Sequence, residues 1–268
     1  MSSIRLGISQ EALGLPVRAA LDAVAKVGVR GIQLDAIREL NPTTLGDTAR
    51  RELRVLIRNA NLEATALNCP IRRGLDTTED LQQRLEHLVA VMQLAADLGP
   101  RKILLPLPEL PKPDDASTPR AETLHESLTS LGRAADRLGV VVALEAGFDS
   151  AEVVLTYLAG FDSGSLMVNF DPVNFLAHGQ KPIAALGALG GRLAHVQARD
   201  AHGRNLSGGP KETAIGQGDL DWLTVFAVLD SLEYRGFVVV DREQGSDRRA
   251  DALAGAEFLK RFVPPTVG

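Results

Sequence analysis

Three carboxylates in this chain each follow an apolar run. Glu145 ends Val142-Ala143-Leu144-Glu145, Asp171 ends Val168-Asn169-Phe170-Asp171, and Asp241 ends Val238-Val239-Val240-Asp241. One such residue alone reads as a side chain leaving the core for solvent. If the runs are neighbouring strands of a closed sheet, the three converge, and they repel one another unless a cation or shared protons neutralise them. A divalent metal ion is the economical neutraliser. More polar residues stand at the ends of other runs: Asp35, Asn68, the trio His195, Gln197 and Arg199, and then Arg242 and Glu243 beyond Asp241.

Convergence of this kind needs strands that alternate with helices. Strands are expected at Ile4–Ser9, Gly31–Ile37, Leu62–Cys69, Lys102–Leu107, Val140–Ala146, Leu166–Asp171, Leu193–Arg199 and Phe237–Asp241. Several are almost continuously apolar, as strands covered on both faces are. Amphipathic segments lie between them; in Leu81–Leu98 the residues Leu81, Leu85, Leu88, Met92 and Ala95 follow helical spacing. Gly28, Gly99, Gly139, Gly191 and Gly236 each come shortly before a strand, where a helix C-terminus favours glycine. This βα rhythm predicts an α/β fold, a single (β/α)8 TIM barrel over residues 1–268. The length of 268 residues suits it, because such barrels run to about 250. A doubly wound sheet needs a Gly-rich turn after its first strand, and Leu6-Gly7-Ile8-Ser9-Gln10 does not provide one. Two long segments, Pro106–Pro119 and Asp200–Asp219, follow strands four and seven. They read as loops on the C-terminal face, where barrels build their sites.

Composition removes several function classes. Twenty-nine basic against 34 acidic residues give a net charge of −5, so no basic stripe for nucleic acid is expected. At 4% aromatic residues, the chain is also poor in platforms for base stacking. The single cysteine, Cys69, excludes an internal disulfide and suits a reducing, cytoplasmic setting. The first residues lack a signal-peptide pattern, and no apolar run reaches the roughly 18 residues of a membrane span.

The motifs ending in Glu145 and Asp171-Pro172 carry a resemblance, together with His195-Val196-Gln197-Ala198-Arg199-Asp200, Gly216-Gln217-Gly218-Asp219-Leu220-Asp221-Trp222 and Gly236-Phe237-Val238-Val239-Val240-Asp241-Arg242-Glu243. In order and strand-end placement they resemble the xylose isomerase-like TIM-barrel superfamily of sugar phosphate isomerases and epimerases. The likeness is strongest from about residue 140 to 245. It implies one divalent metal ion held by Glu, Asp, His and Glu on four strand ends. Matched by position, these are Glu145, Asp171, Gln197 and Asp241, so two of the four depart from the pattern. Asn174 stands where sugar epimerases often have His.

The departures have consequences. An all-oxygen donor set shifts the expected ion from Zn toward Mg or Mn. Asp241 is one methylene shorter than Glu, and misplacing a catalytic base costs on the order of 100-fold in rate. The resemblance implies that the metal polarises a substrate carbonyl while Glu145 or Asp241 removes the α-proton. An enediolate forms, and the other carboxylate returns the proton. His195, Arg199, Asn68, Asn174 and Arg242 would contact a small carbohydrate-like substrate, with Arg199 placed to stabilise an oxyanion. The alternatives are a non-catalytic ligand-binding barrel, favoured by Gln197 and Asp241, and an inosose dehydratase-like lyase. A DNA-repair endonuclease of this superfamily would need more His ligands and a basic face. Members are often dimers or tetramers, so a homo-oligomer fits the resemblance.

Blander readings apply elsewhere. His195 is also readable as bonded within the barrel, and Arg199 with Asp200 as a local ion pair. His87 and His125 lie in helical patterns; His178 and His202 lie in loops, with His202 a candidate to reach the metal. Cys69 reads as a small buried residue, Trp222 as the opening of a helix, and Arg72, Arg73 and Arg101 as solvated.

Overall fold

The computed structural model describes residues 4–115, 117–204 and 209–264. Strand β1 (Arg5–Ser9) leads through α1 (Gln10–Leu13) and α2 (Val17–Val27) to β2 (Gly31–Asp35). Then come α3 (Asp47–Asn59), β3 (Glu63–Asn68), α4 (Leu81–Leu98), β4 (Lys102–Pro106) and α5 (Pro119–Leu138). They are followed by β5 (Val141–Glu145), α6 (Ala151–Ala159), β6 (Leu166–Phe170), α7 (Pro172–Ala177), α8 (Pro182–Leu189) and β7 (Leu193–Ala198). After β7 the chain makes a hairpin of β8 (Asp200–Arg204) and β9 (Pro210–Thr213), and it closes with α9 (Trp222–Ser231), β10 (Phe237–Val240) and α10 (Arg248–Leu259). Eight strands form a closed barrel in the order β1-β10-β7-β6-β5-β4-β3-β2. Every neighbouring pair is parallel. All eight expected strands are present, trimmed by one or two residues at their ends. No described helix is long and apolar enough to cross a membrane.

The period of two along each strand sorts its side chains. Ile8, Ile32, Leu34, Leu67, Ile103, Leu105, Val142, Leu144, Val168, Phe170, Val196, Val238 and Val240 face outward into the main core beneath the helices. Ala66, Leu104 and Ala143 form a separate small cluster, which the alternation places inside the barrel. The same alternation turns Ser9, Gln33, Asp35, Asn68, Glu145, Asn169, Asp171, His195, Gln197, Arg199 and Asp241 inward. The outward rows supply the stability, and the inward rows carry the polar groups.

Two expectations are corrected. Asp200–Asp219 is not simply a loop, because β8 and β9 pair antiparallel with Ala201 opposite Glu212; its residues 205–208 lie outside the described residues. Gly191 and Gly236 do not cap helices. Gly190 takes the positive φ after α8, and Glu233, at φ 52°, takes it after α9. Gly236 is instead required by close packing, since a Cβ there would lie 2.3 Å from Tyr234 Cζ.

Candidate active site

Glu145 sits at the end of β5 and keeps part of its surface accessible. Its Oε1 accepts from Asn174 Nδ2 at 2.7 Å and its Oε2 from Asn169 Nδ2 at 3.2 Å. Asn174 is aimed by α7, whose first turn Asp171 caps: Asp171 Oδ1 accepts from Val173 N at 2.8 Å and Asn174 N at 3.4 Å. Gly147 lets the chain after Glu145 lie against Asn174, for a Cβ there would stand 2.7 Å from Asn174 Cβ and 2.9 Å from its carbonyl carbon.

A directed chain of donors joins Glu145 to Asp241. His195 Nδ1 bonds Asn169 Oδ1 at 2.9 Å, Asn169 Nδ2 donates to Gln197 Oε1 at 2.6 Å, and Gln197 Nε2 donates to Asp241 Oδ2 at 3.1 Å. Because Asn169 presents its oxygen, His195 Nδ1 carries the proton. Burial, then the nearby Lys102 charge, hold His195 well below the usual imidazole range, so it is neutral. Burial pushes Glu145 up to about 8, with the Asp171 charge adding and the Arg199 charge opposing. Burial also raises Asp241, against the pull of Arg199 and a bond from Arg242 N. Both carboxyl groups can therefore hold or release a proton closer to neutral pH than an exposed carboxylate can.

Beside them lies an ion-pair network, buried except at the half-exposed Glu243. Arg199 Nη1 donates to Asp171 Oδ2 at 2.6 Å, Nε to Glu212 Oε1 at 3.1 Å, and Nη2 to Glu243 Oε2 at 3.0 Å. The three carboxylates keep Arg199 charged despite its burial. Glu212 arrives on β9 and also accepts from Glu243 N at 3.1 Å and Gln244 N at 2.7 Å. The hairpin is thus tied to the chain that leaves β10.

The other expected site residues are placed as follows. Asn68 Nδ2 donates to Asp35 Oδ1 at 3.0 Å. Burial raises Asp35 to about 6, although this bond lowers it. His195 has no exposed surface and lies in the barrel interior, and its Nε2 finds no partner among the described residues. Arg242 Nε donates to Asp251 Oδ2 at 3.0 Å, with Glu212 Oε2 3.8 Å from Nη1. Arg199 and Asp200 are not an ion pair. Asp200 instead accepts from Ala201 N, Gly216 N, Leu220 N and Trp222 Nε1. His202 is exposed and pairs with Asp219 at 3.1 Å. Cys69 is buried and its thiol is pushed up to about 12 by burial, and Trp222 opens α9.

As folded, the set Glu145, Asp171, Gln197 and Asp241 does not fit a divalent ion. Both Glu145 oxygens face amide N–H groups, Asp171 carries the Arg199 guanidinium on one oxygen and two backbone N–H groups on the other, and Gln197 Oε1 accepts from Asn169. Among the described residues, no three His, Cys, Asp or Glu side chains are grouped to hold a metal.

Sequence reasoning missed Asn169 and Glu212 as site members, and it placed Glu243 at a strand end without giving it a role. Asn169 was recoverable: it shares the inward face of β6 with Asp171. Glu212 carried no local signal, because the hairpin alone brings it to Arg199.

Comparison with known proteins agrees with this architecture. An inosose dehydratase of Clostridium beijerinckii is 21% identical over 237 residues, covering 78% of this chain and 80% of that protein. A xylose isomerase domain protein from Planctomyces limnophilus superposes with a TM-score of 0.84 at 23% identity, over 97% of each chain. The 3-keto-D-glucoside 4-epimerase of E. coli superposes with a TM-score of 0.76 at 18% identity, over 96% of this chain and 99% of that one. Residues 21–262 match the family described as xylose isomerase-like TIM barrel, and the chain belongs to that family.

Proposed function

We propose that this chain is an enzyme that moves a proton at the carbon beside a carbonyl of a carbohydrate-like substrate, as a sugar isomerase or epimerase. The observation that carries this reading is the pair Glu145 and Asp241, whose carboxyl groups burial raises and which Asn169 and Gln197 link. One carboxylate takes the α-proton, and the electron pair moves onto the carbonyl oxygen as an enediolate. The other carboxyl group returns a proton to the opposite face for epimerisation, or to the neighbouring carbon for isomerisation. The amide N–H groups of Asn169 and Asn174 orient Glu145, and the neutral His195 orients Asn169. Positive charge near the developing oxyanion comes from Arg199.

The test is solvent deuterium exchange, read by NMR, into a panel of ketoses, sugar phosphates and inososes. Exchange into one member is expected, and Glu145→Gln or Asp241→Asn should reduce it by about 100- to 10,000-fold. No exchange from any member would favour a non-catalytic binding barrel. A second reading, a dehydrating lyase, is favoured by the similarity to an inosose dehydratase. It begins with the same proton abstraction and then expels the β-hydroxyl as water. Loss of water from the exchanging compound separates it from epimerisation.

A further inference from the structure

We propose that the Arg199 guanidinium is the resident cation of this barrel, standing where related sites would place a divalent metal. The sequence resemblance gives the metal position to carboxylates on the ends of β5, β6 and β10. Here Arg199, the residue that follows β7 and stands two beyond Gln197, reaches one of them directly: its Nη1 is 2.6 Å from Asp171 Oδ2. Glu212 and Glu243 complete its surroundings at 3.1 and 3.0 Å. Arg199 and Glu212 are almost wholly buried, with 3% and 1% of their side-chain surface exposed. This charge is therefore built into the fold and not a solvated surface pair.

The departures at Gln197 and Asp241 become coherent in this light. A neutral amide at 197 bridges Asn169 and Asp241 by one accepting and one donating bond, which an imidazole bound to a metal could not do. The shorter Asp241 accepts that amide N–H with no ion to reach. Three of the five guanidinium N–H donors are committed to carboxylates. One N–H on each of Nη1 and Nη2 is left for the anionic oxygens of an enediolate. This role for Arg199 rests on the proton-transfer reading above; the replacement of the metal does not.

The experiment separates the two. Manganese(II) is titrated into the EDTA-treated wild-type protein, and free Mn is read by its EPR signal. No site tighter than about 1 mM is expected. A stoichiometric tighter site that Glu145→Gln or Asp171→Asn removes would overturn the proposal. Arg199→Met frees three carboxylates and should bind Mn at least about tenfold more tightly than the wild type; a folded variant that binds no more tightly also overturns it. If Arg199→Met does not fold, the wild-type titration still decides. In the deuterium-exchange assay, the rate with an active panel member should be unchanged by EDTA, and a rate that EDTA abolishes and Mn restores refutes the replacement. Absence of exchange from the whole panel counts against the proton-transfer reading alone, while the Mn titration still judges Arg199.

Discussion

Arg199 Nη1 and Asp171 Oδ2 meet at 2.6 Å with both side chains withdrawn from solvent. Asp171 also caps α7, so this contact couples the end of β7 to the helix that aims Asn174 at Glu145. Removing one partner strands a buried charge. Arg199→Met is expected to destabilise the protein by about 3–5 kcal/mol in urea unfolding at neutral pH. Adding Asp171→Asn should recover part of that loss, and a strictly additive double variant would show that the two residues are not coupled.

Gly147→Ala tests how tightly Glu145 is positioned. The new methyl group would press on the Asn174 backbone, which cannot rotate away as a side-chain end can. A displacement of about 1 Å in Asn174 is expected to slow deuterium exchange by on the order of 100-fold. The accompanying stability loss should stay within about 1–3 kcal/mol. Unaltered exchange would mean that Asn174 does not orient the base.

Asp35 makes stability depend on pH. Its carboxyl group titrates at about 6 in the fold against an ordinary 3.8, so the folded state holds the proton more tightly. The resulting stabilisation is complete below pH 3.8 and is lost as pH rises through 6. Asp35→Asn keeps the acceptor for Asn68 and removes the ionisation. Its urea stability should lack this decline and exceed the wild type at pH 7 by up to about 3 kcal/mol. A variant that declines with pH as steeply as the wild type would assign the slope to another group.

Asp200 ties down the segment after the hairpin by accepting from Gly216 N, Leu220 N and Trp222 Nε1, and it also accepts from its neighbour Ala201 N. Asp200→Ala leaves these donors unpaired, at about 1–3 kcal/mol for each that stays buried. Trp222 is the only tryptophan, so its fluorescence reports on this segment alone. A red shift in the native state is expected, and an unshifted spectrum would mean that Trp222 stays buried without Asp200.

Much of the fold was legible because its signals are local. Runs such as Val140–Ala146 state their own strand, and the glycines at 28, 99 and 139 take the positive φ expected where helices end. Glu145, Asp171 and Asp241 were legible as strand-end carboxylates for the same reason. The hairpin was not: Asp200–Arg204 and Pro210–Thr213 are short and polar, and pairing with each other is what makes them strands. His195 looked equally suited to substrate or barrel until burial placed it inside.

By itself the sequence determined the eight-fold βα order and the carboxylates at the strand ends. These follow from hydrophobic period and turn chemistry, which act over a few residues. The tertiary structure decided which cation those carboxylates meet. Asp171 and Arg199 directly follow β6 and β7, Glu212 lies on β9 and Glu243 lies beyond β10, and only barrel closure and the hairpin bring their charges within hydrogen-bonding distance.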